Sequence, residues 1–470
     1  MSYERWLFGR VLYPAYHAAA RDDVMRHIET LERNQWLGPS ELQAMQAEKL
    51  DRLMRHAARH VPYYRPFLEG IEGRGFSMAE LQRLPPLTKA TIRSAGRNLI
   101  AANAQPRDLK ANSTSGSTGE PLYFYTDERS ASFRKASVVR NKRWTGLEHG
   151  DRQLVLWGSP VDTAKSQQLR GKVHGWLTRS RLVSAYDLAR EKLEDCLREI
   201  ESYEPRLLVA YPSVLEELAQ QVQRSARGTI RLPAVLTSAE TLYPHQRALF
   251  EQVFATPVFN RYGCREVGDI AQECAVHDGL HINSDRVLVE IVREDGSRCE
   301  PGELGDVLVT DLDNYGMPLI RYAIGDRAAL APATPCSCGR GLQRLALVEG
   351  RTLDVVRFPN GSAVGGTYWT ILLRKRPGID QFQVVQKALD ELVIRYLAAA
   401  PLSAETAEFV RNDVLQRAGA GFRVVFERVD RIAVTAGGKR RIVISDLTGA
   451  GAKLASLGQA RSAPKLTRNA

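Results

Sequence analysis

The spacing of hydrophobic positions along the chain predicts helices first. Between residues 20 and 60 the apolar side chains recur at near-helical intervals, and Val61-Pro62 ends the pattern. A shorter helix is predicted over Ser77 to Leu84, where Pro85-Pro86 stops it, and another helix begins at Thr88. The first 110 residues or so are therefore predicted to form a helical part.

From about residue 122 to residue 330, short apolar runs alternate with longer stretches of helical spacing. This alternation predicts an α/β fold with mainly parallel sheet, in which ligands bind at the carboxyl ends of the strands. The predicted strands are Leu122–Tyr125, Gln153–Trp157, Leu207–Ala210, Ala234–Thr237 and Pro257–Asn260. The predicted helices are Ser130–Trp144, Leu188–Ser202, Ser213–Ser225 and Pro244–Phe254.

After residue 280 the helical spacing disappears and antiparallel sheet is predicted. The strands are His281–Val292, Glu303–Thr310 and Leu319–Ile324, with turns at Asp295-Gly296 and Asn314-Tyr315-Gly316. The large N-terminal domain, residues 1–350, thus combines mainly parallel sheet with an antiparallel β subdomain.

A small α+β C-terminal domain is predicted over residues 351–448. Gln381–Lys387 and Glu391–Leu397 have the pattern of a hairpin, and Ser403–Ala418 that of a helix capped by Ser403. Phe422–Val429 is a further predicted strand. Residues 449–470 lack apolar periodicity, which predicts a disordered tail.

Composition adds limits on the class of protein. The 470 residues are 44% hydrophobic and 25% charged, as in soluble globular proteins. No apolar run approaches the ~20 residues that cross a bilayer, and the N-terminus lacks a secretion signal, so we expect a cytoplasmic protein without a membrane span. The basic residues behind the net charge of +11 are dispersed along the chain, and the sequence shows no nucleic-acid recognition module. The charge is therefore explained by solvated surface residues or by an attraction for anionic small molecules.

A loop rich in Ser, Thr and Gly precedes the predicted strand at Leu122. Its hydroxyls and glycines offer N–H and O–H donors that can surround a polyanion, although a surface linker has the same composition. No lysine follows Gly119, which excludes the nucleotide loop that ends in Gly-Lys-Ser/Thr. The loop runs Asn112-Ser113-Thr114-Ser115-Gly116-Ser117-Thr118-Gly119-Glu120-Pro121.

Four further stretches offer chemistry, and each alone has an ordinary alternative as a loop or turn. Ser238-Ala239-Glu240 and Asn260-Arg261-Tyr262-Gly263-Cys264-Arg265-Glu266 follow successive predicted strands. The second supplies an aromatic face, a glycine for close approach and a carboxylate suited to Mg²⁺. Arg321–Asp326 ends in an acid suited to a ribose diol, and Gly437-Gly438-Lys439 sets a lysine beside two glycines.

In this order, the stretches resemble the adenylate-forming superfamily of acyl-CoA synthetases and adenylation domains. The resemblance covers nearly the whole chain, to about Leu447. It is strongest to the branch of phenylacetate–CoA ligase and the capsule-biosynthesis and coenzyme F390 synthetase-like proteins. His60-Val61-Pro62-Tyr63-Tyr64 and the Cys274…Gly279-Leu280-His281 stretch carry that closer similarity.

The resemblance implies a role for each motif residue. Ser115, Gly116, Ser117, Thr118 and Gly119 would hold the β- and γ-phosphates of ATP. Ser238, Ala239 and Glu240 would line the adenine and α-phosphate side of the site. Asn260 and Arg261 would contact the adenine amino group. Tyr262 would stack on the adenine ring, and Gly263 would allow the nucleotide to approach the backbone closely. Asp326 would hold the ribose hydroxyls with Arg351 beside it. Glu266 would bind Mg²⁺, and Lys439 would stabilise charge on the α-phosphate.

The cysteines predict a separate site. Six cysteines in a long cytosolic chain argue against disulfides. Cys274, Cys336 and Cys338 with His281 would complete a tetrahedral structural Zn²⁺ site, with His277 as the reserve ligand; unpaired thiols are the alternative. His281 is favoured over His277 as the fourth ligand because its Gly-Leu-His setting is shared with relatives.

The predicted function is an ATP- and Mg²⁺-dependent ligase that forms an acyl-adenylate from a small carboxylic acid. The acyl group then passes to coenzyme A or to an amine, and the small domain acts as a mobile lid. Leu353 stands where the superfamily often has a hinge Asp or Lys. The alternatives are a catalytically retired nucleotide-binding protein or a cofactor adenylyltransferase in polysaccharide or secondary metabolism. The oligomeric state, monomer or homodimer, stays open.

Overall fold

The computed structural model describes most of the chain. The described residues are 3–69, 75–114, 122–157, 169–184, 190–225, 230–351, 356–360, 363–364, 366–373, 376–419, 421–433, 441–445 and 447. The phosphate-loop residues Ser115 to Gly119, Lys439, Leu353 and the predicted tail lie outside them.

The α-helices are named here in chain order. They are α1 Tyr3–Trp6, α2 Tyr13–Ala20, α3 Val24–Asn34, α4 Pro39–His60, α5 Arg65–Leu68, α6 Met78–Arg83, α7 Lys89–Ala95, α8 Glu128–Arg143, α9 Leu169–Leu177, α10 Arg190–Tyr203, α11 Pro212–Arg224, α12 Pro244–Phe254, α13 Gly366–Leu373 and α14 Ala404–Ala418. A π-helical turn, Leu7–Leu12, joins α1 to α2, and 3₁₀ turns occur at Gly96–Leu99 and Pro106–Asp108.

The strands are also numbered in chain order. They are β1 Leu109–Ser113, β2 Tyr123–Asp127, β3 Gln153–Trp157, β4 Ser180–Ser184, β5 Leu207–Ala210, β6 Val235–Ser238, β7 Val258–Cys264, β8 Gly268–Glu273, β9 Leu280–Ile282, β10 Val287–Val292, β11 Gly305–Asp311, β12 Tyr322–Leu330, β13 Arg344–Arg351, β14 Val356–Arg357, β15 Ala363–Val364, β16 Gln381–Ala388, β17 Glu391–Leu397, β18 Arg423–Arg428 and β19 Val443–Ser445.

One eleven-stranded sheet dominates the described residues, in the order β10-β11-β12-β13-β9-β8-β7-β6-β5-β3-β4. The pairings from β4 to β7 are parallel and those from β7 to β10 are antiparallel. The mixed α/β class is confirmed. The predicted parallel part and antiparallel subdomain are two regions of one hydrogen-bonded sheet, joined where β8 folds back along β7.

The inner parallel strands β5 and β6 are buried on both faces. Leu208 and Ala210 of β5 pack with α10, α11 and α12, whereas Leu207 and Val209 point to a second cluster on the opposite face. Burial on two sides explains why these strands have continuous apolar sequences.

Several boundaries differ from the predictions. The helical stretch over residues 20–60 is two helices, because Gly38 and Pro39 start α4 anew and Glu41 accepts a hydrogen bond from the Gly38 N–H at 2.8 Å. His281–Val292 is likewise divided, since the buried polar residues 283–286 separate β9 from β10. The strand predicted over Leu319–Ile324 begins only at Tyr322 and continues to Leu330.

The C-terminal residues form a separate four-stranded sheet, β18-β17-β16-β19. The predicted hairpin, helix and following strand correspond to β16, β17, α14 and β18, and Ser403 caps α14 by accepting from the Thr406 N–H at 3.2 Å. No helix in the described ranges is long and apolar enough to cross a membrane.

Candidate nucleotide site

Hydrogen bonds made by the side chains of Ser238 and Glu240 hold the loop at the carboxyl end of β6 in place. Ser238 is the last residue of β6 and lies opposite Arg261 of β7, whose Nε donates to the Ser238 Oγ at 3.1 Å. Ala239 has φ of +72°, a left-handed conformation that is costly for a residue with a side chain. Glu240 accepts hydrogen bonds from the N–H and Oγ of Ser213, both at 3.0 Å. Glu240 therefore ties this loop to the first turn of α11.

The next strand presents Tyr262 to an acid from a distant strand. The Tyr262 hydroxyl donates to Asp326 Oδ2 at 2.9 Å, although the two residues are 64 positions apart. Asp326 lies opposite Arg351 in the β12–β13 pairing; the side chain of Arg351 is not described. Tyr262 and Asp326, which come from separate sequence motifs, thus meet at one place.

Glu266 lies nearby in the turn between β7 and β8 and is only 4% exposed. Its Oε1 accepts a hydrogen bond from the Tyr322 hydroxyl at 2.6 Å, and Lys89 Nζ lies 4.0 Å from the same oxygen. Burial, and then the charge of Glu266, raise the pKa of Tyr322 well above its usual range. Tyr322 therefore stays protonated as a donor to the carboxylate throughout the physiological pH range.

Lys89 and Tyr322 are brought together by the backbone. The Leu87 N–H donates to Arg321 O at 2.9 Å, and the Ala323 N–H donates to Leu87 O at 3.0 Å. Helix α7, which Thr88 caps, consequently begins beside β12 and extends Lys89 toward Glu266. The helix start at Thr88 and the Arg321–Asp326 stretch were predicted from the sequence, but no role was predicted for Lys89 or Tyr322.

Arg134 of α8 secures the backbone of the same turn. Its guanidinium donates to the carbonyl oxygens of Arg265 and Glu266 and, at 3.0 Å, to Asp311 Oδ2. The sequence motifs did not predict a role for Arg134. Its function here is to hold the main chain of Glu266 in place.

Asn260 and Gly263 both have contacts within the sheet, and those of Gly263 account for its residue type. The Asn260 N–H donates to Glu273 Oε2 at 2.9 Å, and its Oδ1 accepts from Thr237 Oγ1 at 3.4 Å. A Cβ at Gly263 would lie 2.6 Å from Gly268 O, so only glycine permits the close β7–β8 approach.

The Ser/Thr/Gly loop is bounded by a paired hairpin. Thr114 and Leu122, which flank the undescribed residues, are joined by hydrogen bonds of 3.0 Å and 3.1 Å. The loop therefore connects two adjacent antiparallel strands rather than two domains, which argues against its being a linker between domains.

A second site lies at the start of β9. The ligand atoms of Cys274, His281, Cys336 and Cys338 all lie within 4.8 Å of one another. Cys338 Sγ is 3.3 Å from His281 Nε2, and Cys274 Sγ is 3.9 Å from Cys336 Sγ. The predicted four residues therefore converge, and His277 instead contacts Glu273 at 3.1 Å.

The surroundings of this cluster match the needs of a metal ligand set. With its proton on Nδ1, His281 donates to Leu342 O at 3.3 Å and leaves Nε2 free toward Cys338. Burial lowers the pKa of His281 to about 4, so the imidazole is neutral at pH 7. Burial also raises the pKa of the Cys274 thiol, so a thiolate there requires a bound cation. Three thiols and one imidazole are a donor set typical of Zn²⁺.

Comparisons with known proteins agree with this picture. Residues 359–446 match the family model of the CapK C-terminal domain. The chain is 25% identical to a phenylacetate-coenzyme A ligase of Thermus thermophilus, over 86% of this chain and 91% of the relative. It is 22% identical to the protein CapK of Staphylococcus aureus, over 87% of this chain and 90% of the relative.

Solved structures show the same fold. A 2-hydroxyisobutyryl-CoA ligase crystallised in its postadenylation state, with an acyl-AMP bound, superposes with a TM-score of 0.70. The match covers 92% of this chain and 94% of that chain at 18% identity. At this identity the structural likeness establishes the fold alone.

Proposed function

We propose that this chain belongs to the adenylate-forming superfamily and is an ATP-dependent carboxylic acid–coenzyme A ligase, which its similarity to phenylacetate-coenzyme A ligase and CapK supports. In the first step the acid carboxylate would attack the α-phosphate of ATP, forming acyl-AMP and releasing pyrophosphate. In the second, the thiol of coenzyme A would displace AMP to give a thioester. The observation that carries the proposal is the convergence of two separate segments, which bring Tyr262 and Glu266 to Asp326 and Tyr322.

Asp326 is proposed to accept hydrogen bonds from both ribose hydroxyls. The Tyr262 hydroxyl occupies one position on Oδ2 and thereby fixes the carboxylate. The second carboxylate oxygen and the remaining lone pairs suit a diol, which offers two donors. Arg351, opposite Asp326 on β13, is proposed to lie beside the ribose.

Replacing Tyr262 with Phe should raise the KM for ATP while leaving kcat nearly unchanged. The change removes only the hydrogen bond that orients Asp326, and the loss of one bond to a charged group corresponds to roughly a tenfold effect. Initial-rate kinetics at varied ATP would measure this. Tyr396→Phe, which removes a hydroxyl in the C-terminal sheet, is the matched control and should leave the KM for ATP unchanged.

Glu266 is proposed to hold Mg²⁺, because a buried carboxylate oriented by a tyrosine hydroxyl fits a hard cation. When bound, Mg²⁺ neutralises phosphate charge. Lys89 lies where its ammonium can pair with Glu266 in the free protein. The roles of Lys439 and of Ser115 to Gly119 toward the phosphates remain proposals that rest on the resemblance.

The division of the chain is also part of the proposal. Residues 1–350 would form the large adenylation domain and residues 351–448 a small lid domain. The family match over residues 359–446 and the separate sheet of β16 to β19 support this boundary. Rotation of the lid between the two steps is the expected conformational change.

The acyl acceptor can be identified by product analysis. The protein would be incubated with ATP, Mg²⁺, a mixed carboxylic acid library, and either coenzyme A or a mixture of primary amines. We expect acyl-CoA thioesters, detected by mass spectrometry, only when coenzyme A is present. Amides formed without coenzyme A would instead establish the amine as the acceptor.

The cysteine and histidine cluster is proposed to bind one structural Zn²⁺. Purified protein should contain about one zinc per chain by elemental analysis, and Cys336→Ser should lose the metal and melt at a lower temperature, because structural zinc contributes directly to folding. Cys196→Ser, at a buried thiol on α10 outside the cluster, is the control and should retain zinc. Wild-type protein free of zinc after purification without chelators would refute the site.

A further inference from the structure

The N-terminal arm, defined here as residues 3–20, is tightly fixed to the rest of the protein. A Cβ at Gly9 would overlap with the carbonyl oxygen of His149, and a Cβ at Gly150 would overlap with that of Arg5. Arg179 adds a hydrogen bond to Gly150 O at 2.9 Å and an ion pair with Glu4 at 2.7 Å. The arm is therefore a docked element and has a defined outer face.

The outer face of the arm carries large apolar side chains. Tyr3 is 73% exposed and Trp6 45% exposed, and Val11 is exposed as well. Trp176 of α9, itself 59% exposed, extends this surface, because its ring packs edge-on against Phe8 of the arm at 5.0 Å. We call Tyr3 and Trp6, whose rings stack on each other, together with Trp176 the aromatic face. Exposed aromatic residues on the outside of a docked helix indicate a surface that a membrane or another molecule covers.

The arm, α9 and the residues that directly follow each of them are rich in basic side chains. Residues 3–21 and 169–181 contain seven Arg or Lys side chains and one carboxylate, Glu4, which pairs with Arg179. The seven are Arg5, Arg10, Arg21, Arg170, Lys172, Arg179 and Arg181. These 32 residues therefore supply more than half of the chain's net charge of +11, although Arg5 and Arg181 form ion pairs with Asp151 and Glu199 outside the two segments.

We propose that the aromatic face docks on an anionic membrane surface. Tryptophan and tyrosine favour the interface between headgroups and acyl chains, and neighbouring Arg and Lys are attracted to anionic lipid. A symmetric dimer through this face would set the same basic side chains against each other, so a second copy of the chain is disfavoured. The arm lies on the surface without spanning the bilayer. This inference is independent of the ligase function, since none of its residues belongs to the candidate nucleotide site.

The test is cosedimentation of the full chain with vesicles. We expect binding to vesicles of phosphatidylglycerol and phosphatidylcholine, and little binding to pure phosphatidylcholine. The double variant Trp6→Ser, Trp176→Ser should lower the partition coefficient at least tenfold, and Arg10→Glu should weaken binding and its salt dependence. Trp36→Ser is the matched control, because Trp36 is 55% exposed outside the aromatic face.

Two results would overturn the proposal. One is wild-type protein that does not bind the anionic vesicles, or that binds equally well after the double substitution. The other is a dimer, seen by sedimentation velocity without lipid, that the double variant abolishes; the aromatic face would then be an interface between copies. Unchanged melting temperatures of the variants would show that any loss of binding reflects the surface and not the fold.

Discussion

Glu266→Gln should lower acid-dependent ATP–pyrophosphate exchange by a factor on the order of 100 or more, while the protein stays folded. The amide can still accept the hydrogen bond from the Tyr322 hydroxyl, but it lacks the charge to balance a divalent cation. Adenylation depends on positioning and charge neutralisation, so the loss of a metal-binding carboxylate is a large effect. Exchange of labelled pyrophosphate into ATP measures the step directly.

Glu303→Gln provides the control. Glu303 pairs with Arg293 at the surface, so its neutralisation should leave both exchange and melting temperature unchanged. Exchange at the wild-type rate in Glu266→Gln would contradict the proposed role of this carboxylate. A lower melting temperature together with lost exchange would attribute the effect to folding.

Arg140→Met should destabilise the protein by about 3–5 kcal/mol, because it leaves a buried carboxylate without its counter-ion. Arg140 of α8 is fully buried; its guanidinium contacts Asp285 Oδ2 at 2.6 Å and Asn283 Oδ1 at 2.5 Å. These bonds join α8 to the residues between β9 and β10. Urea denaturation followed by circular dichroism would measure the change.

The control for Arg140→Met is a substitution in an exposed ion pair between an arginine and a carboxylate. Arg395 and Glu427 lie on neighbouring strands at 3.0 Å, with both side chains at least one-third exposed. Arg395→Met should therefore cost less than about 1 kcal/mol. Equal losses of stability in the two variants would show that burial does not determine the importance of the Arg140 network.

The strands that the sequence located well are those buried on both faces. β3 and β5 have the predicted bounds, and β6 is shifted by one residue, because continuous apolar runs are unambiguous. β8 was missed because Asp269, Gln272 and Glu273 are polar despite their place in the sheet interior. Tertiary partners such as Arg247, which binds Glu273, make those residues compatible with the fold. No local pattern reveals such partners.

In the candidate site, too, the residues within motifs were predicted and the distant residues that contact them were not. The sequence motifs supplied Tyr262, Glu266 and Asp326, and the cysteine pattern together with the resemblance supplied the four residues of the Cys/His cluster. Tyr322 and Arg134 went unassigned because their contacts with Glu266 span 56 and 132 residues, and the structure alone brings them together. The side chains that hold a site residue in place are generally distant from it in sequence. A motif therefore predicts the site residue better than it predicts the residues that surround it in space.

ATP–pyrophosphate exchange by the wild-type protein, assayed over a broad panel of carboxylic acids, would show whether this chain forms acyl-adenylates. We expect exchange that depends on at least one acid and on Mg²⁺, with the acyl-AMP of that acid detected by mass spectrometry. ATP binding with no exchange for any acid would contradict the proposed ligase function and favour a retired nucleotide-binding protein. AMP found covalently on a cofactor would favour an adenylyltransferase.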